Sequence, residues 1–443
     1  MKDKTIVAIS TPIGVGGISI VRLSGADALP IALTIINKNK LIERYMHLVK
    51  ISTKNFIERG LVVYFKNPNS YTGEDVVEFQ CHGGIVIANG IVDELLNNGA
   101  SLAEEGEFTK RAFLNGKLSL EQAEGVIDMI NAESEAQVRA GYNLLNGELY
   151  KKVVAMQQGL TDTLAQMEVA LDYPEHDIEY KTLEQFNNDL TKVSAQIGEL
   201  LLTAKTGKLV RNGINVSILG RPNVGKSSLM NALLNYDRAI VTSIAGTTRD
   251  TLEESYNYKG IKINLIDTAG IRQSNDEVEK LGIERAYKTL DYADIILAVF
   301  DGSEPLTKED KENLNLIKNK RHIVVQNKTD LKNISLGLNE KVVGVSSLTK
   351  QGINELKETI YSEVIDKNII NSALLITNGR HEEALLKAQQ SVREALNSLN
   401  NGMSLDVIAL DIKAAWDTLG EITGETSNEQ IIDAIFSKFC LGK

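Results

Sequence analysis

The spacing of apolar positions changes character three times along the chain. From Met1 to about Asn115 the apolar runs are short. Ile6-Val7-Ala8-Ile9 and Ile18–Leu23 read as strands bounded by Gly and Pro, and Val76–Gln80 reads as another, closed by Gly83-Gly84. A helix beginning near Gly84 would carry Ile87, Ile91 and Leu95 on one face. From about Lys117 to Thr206 the period is helical. Tyr150, Val153, Leu160, Leu164 and Met167 recur at multiples of three and four, as do Leu190, Val193, Ile197 and Leu201, with Pro174 marking a break. From about Asn212 to Lys367 apolar runs at Ile214–Leu219, Ile261–Ile266, Ile295–Phe300, His322–Gln326 and Val342–Val345 alternate with helical stretches. That alternation predicts a mostly parallel sheet with helices on both faces. After about Ile370 the chain returns to helices: Leu385, Leu386, Val392, Leu396 and Leu399 form one face, and Ile408, Ile412 and Trp416 start another.

Two helical segments therefore flank one α/β unit. The expected organisation is multidomain, α/β plus all-α, with the α/β unit inserted into a single helical domain. Taken alone, the tail of about 70 residues would be a small independent domain. The expected divisions are 1–116, 117–211, 212–368 and 369–443.

Composition narrows the chemistry. Hydrophobic residues make up 43% and charged residues 24%, which excludes a disordered or disulfide-built chain. Lys plus Arg is 48 and Asp plus Glu is 59, a net charge of −11, so bulk charge does not attract nucleic acid. An RNA partner needs a local basic patch or a second protein. The two cysteines, Cys81 and Cys440, lie far apart and fit a reducing, cytoplasmic setting. The N-terminus lacks a signal-like apolar run, and Ile295–Phe300 is too short for a bilayer, so no membrane association is expected. The histidines show no zinc-like spacing.

Gly220-Arg221-Pro222-Asn223-Val224-Gly225-Lys226-Ser227 fits G-x-x-x-x-G-K-[ST] between an apolar strand and a helical run through Leu229, Leu233 and Leu234. Its backbone N–H groups and the helix N-terminus would cradle phosphates, Lys226 would reach the β- and γ-phosphates, and Ser227 would hold Mg2+. Asp267-Thr268-Ala269-Gly270 follows the next apolar strand, with Asp267 placed for Mg2+ through water and the Gly270 N–H for the γ-phosphate. Asn327-Lys328-Thr329-Asp330 follows His322–Gln326. A carboxylate there can accept both N1–H and the exocyclic amine of guanine, a donor pair adenine lacks, so Asp330 argues for GTP over ATP. Lys328 would cover the base, Asn327 would tie loops together, and Ser346-Ser347-Leu348 can offer a backbone N–H to guanine O6. Thr247-Thr248-Arg249-Asp250 lies where a threonine completes Mg2+ coordination. Ile271 stands where many regulatory GTPases carry a water-orienting Gln, so hydrolysis needs another group. Asp276, Glu277 and Glu279 lie just downstream, and the residues themselves do not choose among them.

The runs GRPNVGKS (220–227), AGTTRD (245–250), DTAGIR and the terminal FCLGK resemble the bacterial tRNA modification GTPase family MnmE (TrmE). So do Thr11–Gly17 with Arg22, YTGEDVVEFQCHGG (71–84) and GEFTKRAFLNGK (106–117), so that the resemblance covers essentially the whole chain. It implies an N-terminal α+β folate-binding domain, a split helical domain and an inserted, Ras-like P-loop GTPase domain, in a homodimer. It also implies an FAD-dependent partner, MnmG (GidA), in a heterotetramer or larger complex. The shared product is an aminomethyl or carboxymethylaminomethyl group at C5 of the wobble uridine of certain tRNAs.

The implied nucleotide contacts run over Asn223, Val224, Gly225, Lys226, Ser227 and Ser228; over Thr242, Ser243, Ile244, Ala245, Gly246, Thr247 and Thr248; over Asp267, Thr268, Ala269 and Gly270; and over Asn327, Lys328, Asp330, Ser346 and Ser347. By the resemblance, K+ ligands map to Asn223, Thr242, Ile244 and Thr247, Mg2+ ligands to Ser227 and Thr248, and the water-orienting carboxylate to Glu279. A monovalent cation among such oxygens offsets charge developing on the phosphates. Arg249 is then structural rather than a finger. The folate residues, for 5-formyltetrahydrofolate or a related one-carbon folate, map to Arg22, Glu78, Lys117 and Lys443. Cys440 falls near that region in the family, which gives it a conceivable chemical role; a small buried apolar residue is the other reading. Cys81 reads as structural.

Two rival classes stand beside this expectation. One is a GTPase RNA-binding switch of the ribosome-assembly type, against which the acidic-to-neutral helical tail counts. The other is a folate-dependent one-carbon transferase with an attached regulatory G domain.

Overall fold

The computed structural model describes residues 4–172, 183–234, 253–267, 290–331, 334–338, 340–370, 372 and 374–443, with the side chains of Glu253, Asp267 and Asn368 left out. In chain order the N-terminal elements are β1 Ile6–Ile9, β2 Ile18–Ser24, α1 Ala28–Thr34, β3 His47–Ser52, β4 Ile57–Phe65, β5 Val76–His82, α2 Ile85–Asn97 and β6 Ser101–Leu102. The helices α3 Glu107–Leu114, α4 Leu120–Ile130, α5 Glu135–Leu145, α6 Glu148–Asp172 and α7 Leu183–Asn212 follow. Then come β7 Ile214–Leu219, α8 Lys226–Leu234, β8 Glu253–Tyr258, β9 Ile261–Asp267, β10 Ile295–Asp301, α9 Lys308–Ile317, β11 His322–Asn327, β12 Val342–Gly344, α10 Ile353–Val364 and α11 Lys367–Ile370. The chain closes with α12 Gly379–Asn400, α13 Leu405–Thr423 and α14 Glu429–Phe436.

These elements form two compact units. One holds Met1–Ile130, Gly141–Val193 and Lys387–Lys443; the other, inserted within it, holds Asn131–Ala140 and Ser194–Leu386.

The first unit is built on a six-stranded sheet of order β3-β4-β5-β2-β1-β6, antiparallel except for β1–β6. Alternation along the strands turns Val21, Leu23, Val62, Tyr64, Val77, Phe79 and Cys81 onto one face, where Ala88, Ile91 and Leu95 of α2 cover them. Ile87 is only partly buried. Charged residues punctuate strands β3 and β4 and hide them from an apolar-run reading: HLVKIS alternates buried and exposed, and in IERGLVVYF Glu58 and Arg59 follow the first residue, Ile57.

The helical faces also differ from expectation. On α6 the buried stripe runs through Leu149, Val153, Met156, Leu160 and Met167, while Tyr150 is exposed and Leu164 half-buried. On α7 Leu200 is buried and Leu201 is not. On α12 Leu386 is exposed and Leu396 half-buried; Ala384, Ala388 and Ala395 join Leu385, Val392 and Leu399 inside. Choosing faces by large side chains overlooks alanine, which lets helix backbones approach closely. Helix α6 packs along α13, across the insertion in sequence. Gln157 Nε2 donates to Trp416 O at 3.2 Å, and Trp416 Nε1 donates to Thr161 Oγ1 at 3.0 Å, which keeps the half-buried indole at the rim.

The second unit is the expected mostly parallel sheet, in the order β12-β11-β10-β7-β9-β8. Only β8, of sequence EESYNY, pairs antiparallel, and its polar alternation hid it from an apolar-run reading. Every residue of β10 is buried. The segment Asn131–Ala140 grips the β8–β9 turn: Ala136 N donates to Gly260 O at 3.0 Å, Asn257 Nδ2 donates to Glu133 O at 2.9 Å, and Lys262 pairs with Glu133. Among the described residues, no helix is long and apolar enough to cross a membrane.

Candidate functional site

Strand β7 lies between β10 and β9, so the loop after it leaves from the middle of the sheet. Asn223 (φ 64°) and Gly225 (φ 95°) are left-handed, which bends the loop back on itself and directs successive amides inward. Side chains are excluded at both glycines: a Cβ on Gly225 would stand 2.4 Å from the Asn327 side-chain Nδ2, and one on Gly220 2.4 Å from the backbone Val299 O. The Val224 side chain is buried in the core. Lys226 arches over the loop and donates to Gly220 O at 2.7 Å and Arg221 O at 2.8 Å. Ser227 and Ser228 are exposed on the first turn of α8.

The base-side loops are tied to this one. Asn327, ending β11 and 1% exposed, donates from Nδ2 to Val224 O at 2.9 Å. Its Oδ1 accepts from Ser347 N at 3.2 Å and Ser347 Oγ at 2.9 Å. Ser346 Oγ donates to Asp330 Oδ1 at 2.5 Å, which holds one oxygen of an exposed carboxylate and orients the other. Ser346 N donates to Gln351 O at 3.0 Å and Ser347 N to Asn327 Oδ1, so both amides are engaged within the protein, and Leu348 carries the next N–H along the chain. Lys328, left-handed at φ 63°, places Nζ 2.6 Å from Asp301 Oδ2.

Asp267 ends β9 with its Cα paired to Ile218, just before the phosphate loop. Thr242, Ser243, Ile244, Ala245, Gly246, Thr247, Thr248, Thr268, Ala269, Gly270 and Glu279 lie outside the described residues, as do Arg249 and Pro174. Of the expected metal ligands, Ser227 and Asn223 are described. Both offer hard oxygen donors beside the loop, the chemistry Mg2+ and K+ take. Among the described residues, no group of three His, Cys, Asp or Glu could hold a metal ion.

A second polar group sits in the N-terminal unit. Arg22 on β2 and Glu78 on β5 are cross-strand partners, with Nε 2.8 Å from Oε1 and each side chain 16% exposed. The guanidinium lies over the rings of Tyr71 (5.3 Å) and Phe108 (5.7 Å). Burial raises the Tyr71 hydroxyl pKa, against the Thr109 hydrogen bond and Arg22.

The C-terminal tail reaches this group. Phe436 and Phe439 pack with Phe113 and Leu120, Glu105 bridges to Leu441, and Ser10 Oγ donates to Gly442 O at 2.9 Å. Gly442 is left-handed (φ 89°), and a Cβ there would stand 2.1 Å from Ile9 O, so only glycine fits the path. The path ends with Lys443, which lies within reach of the charges of Arg22 and Glu78. Burial and Arg22 lower its pKa, while Glu78 and Cys440 oppose them. Arg22, Glu78 and Lys443 thus come together, whereas Lys117 is exposed and donates to Pro68 O at 3.0 Å. Cys440 is exposed, which overturns its reading as a buried apolar residue. Cys81 is buried as expected, and burial, then Glu58, pushes its thiol up to about 11. Sequence reasoning missed Tyr71 and Phe108, which no spacing marks, and Asp301, the residue just past the apolar run of β10.

The model of the MnmE helical domain matches residues 120–440, and that of the GTP-binding protein TrmE N-terminus matches residues 5–117. The tRNA modification GTPase MnmE of Lactobacillus johnsonii is 45% identical over 99% of this chain and 98% of its own length. The chain belongs to the MnmE family of tRNA modification GTPases. The MnmE of Clostridioides difficile is 44% identical over 100% of this chain and 99% of its own length. Among solved structures, Aquifex aeolicus Era bound to GDP and aluminium fluoride is 30% identical over 40% of this chain and 66% of that one, with a TM-score of 0.28, too low to bear on this MnmE-family chain. Membership makes the protein a GTP hydrolase of tRNA modification, with an N-terminal TrmE domain, a helical domain and a GTPase domain.

Proposed function

We propose that this GTPase is activated by potassium and that GTP-driven pairing of G domains in a homodimer gates a folate-dependent modification at C5 of the wobble uridine. It would work in the cytoplasm with an FAD-dependent MnmG (GidA) partner in a heterotetramer or larger complex, and would leave an aminomethyl or carboxymethylaminomethyl group on certain tRNAs. The single observation that supports the GTP side is Asn327, whose one amide binds both the phosphate loop at Val224 O and the base loop at Ser347. Phosphate and base loops are thereby held at a set separation by the protein itself.

In this reading Lys226 leaves the loop carbonyls for the β- and γ-phosphates. Asp330 accepts from guanine through the oxygen that Ser346 leaves open, and Leu348 N–H faces O6. Ser227 with Thr248 would hold Mg2+, and Asn223 with Thr242, Ile244 and Thr247 would hold K+; these ions supply positive charge against the phosphates. Glu279 would orient the attacking water. Arg22 and Lys443 would meet folate carboxylates while Glu78 takes the pterin amide and amine. The reading keeps the divisions at 1–116, 117–211, 212–368 and 369–443.

Turnover of GTP in K+ against Na+ tests the ion: a marked excess in K+ is expected, and equal rates reject it. Glu279→Ala should bind GTP while hydrolysing it slowly; turnover at the parent rate removes Glu279. Mass spectrometry of wobble uridines in tRNA from cells lacking the protein should show the modification gone, and an intact pattern rejects the tRNA role.

A further inference from the structure

Lysine is a poor fixed element, because its long flexible stem loses rotamer freedom when held in one place. Lys328 is nevertheless held by a partner within the protein. Its ammonium meets Asp301 Oδ2 at 2.6 Å, and that carboxylate is 6% exposed against 33% for the lysine. Asp301 ends β10 directly opposite Asn327 in the sheet register, so the neighbouring strand ends fix where the pair sits. The other carboxylate oxygen is also occupied. Asp301 Oδ1 accepts from Ser303 N at 3.0 Å and Ser303 Oγ at 2.6 Å, which leaves Oδ2 facing the lysine. Burial opposes charge on Asp301, but Lys328 and Ser303 outweigh it and keep the carboxylate ionised. Beyond it, the chain from Glu304 to Asp310 is braced against the phosphate loop, since Arg221 Nη2 donates to Glu304 Oε2 at 2.7 Å and Arg221 Nε stands 3.4 Å from Asp310 Oδ2.

We infer that Asp301 is a positioning residue for guanine nucleotides: it holds the Lys328 side chain in place along one face of the base pocket. The assignment rests on Lys328 being the residue that covers the base. A buried carboxylate suits this task better than water does, because it fixes the ammonium at one end and frees the aliphatic stem to lie flat on a ring. The effect concerns the base, so it is the same for GDP and GTP and appears in KM rather than kcat.

The test is a double-variant cycle on the full chain, read by fluorescent GDP binding and by GTP turnover. Asp301→Asn should weaken GDP binding about tenfold, the scale of one charge-assisted hydrogen bond. In a Lys328→Ala background the same change should cost less than about twofold, because the group it acts through is gone. Ser303→Ala, which removes one of two donors to Oδ1, should weaken binding by about two- to threefold and is the gentler variant should Asp301→Asn fold poorly. An equal cost of Asp301→Asn in both backgrounds would overturn the assignment. If instead Lys328→Ala leaves GDP affinity untouched, the base-covering role itself fails and takes the assignment with it.

Discussion

The nucleotide loops and the Arg22 group are put together in different ways. Each nucleotide loop is one contiguous run placed by the end of its own strand, and parallel strands that neighbour one another bring the runs side by side. The Arg22 group draws on β2, β5 and the last residue of the chain, and Lys443 arrives only because the aromatic tail and Gly442 set its path. The first arrangement needs a sheet with its strands in order. The second needs a long-range fit that a single added methyl would spoil.

The sharpest way to break this comparison is at the phosphate loop. Lys226→Ala should lower GTP turnover about 10²–10³-fold, the scale of losing one preorganised donor to developing charge. Phosphate release measures it, and a fall of less than about tenfold would shift the charge to another group.

The next contrast is between the two thiols. Cys81 has its pKa raised from 9.0 to about 11 in the folded state, so at pH 8 it should react about 100-fold more slowly with a thiol reagent than an unshifted thiol. Exposed Cys440 should label first, and rapid labelling of both would mean that the N-terminal core is loose. The folded state keeps a proton there that the unfolded chain gives up, so this thiol's contribution to stability should fall as pH rises from about 9 to about 11. Melts across that window, compared with Cys81→Ala, check the sign.

Arg22→Ala comes next. It leaves Glu78 without its 2.8 Å partner and should weaken 5-formyltetrahydrofolate binding by about 10- to 100-fold in titration. Unchanged affinity would reject the folate assignment. The smallest effect is expected at Lys117, whose exposed ammonium donates to Pro68 O: Lys117→Ala should cost less than about threefold. A loss as large as that of Arg22→Ala would mean that the ligand draws Lys117 into the group.

Legibility followed the same division. The strands of the second sheet were readable because buried parallel strands are continuous apolar runs, as in IILAVF, and because turn glycines mark their ends. Strands β3, β4 and β8 were not, since polar and charged residues break their apolar runs: lysine in HLVKIS, Glu58 and Arg59 in IERGLVVYF, and most positions of EESYNY. Helix existence was readable while helix orientation was not: Tyr150 and Leu386 fit the period but are exposed, while Ala384, Ala388 and Ala395 are buried. Asn327 was legible as a tie between loops because its motif fixes its place at a strand end, although its partners, Val224 and Ser347, appear only in three dimensions.

By itself the amino-acid sequence determined a phosphate-binding loop between a strand and a helix, a carboxylate suited to guanine, an inserted α/β unit and a glycine one residue from the end. Each of these is local, since φ preference, apolar period and side-chain chemistry act over a few residues. Tertiary structure alone decided that Asp301 takes Lys328, that Lys443 reaches Arg22 and Glu78 while Lys117 turns to Pro68, and which helix faces meet. Those outcomes depend on sheet register and close packing between distant segments, and such fits arise only once the chain has closed on itself.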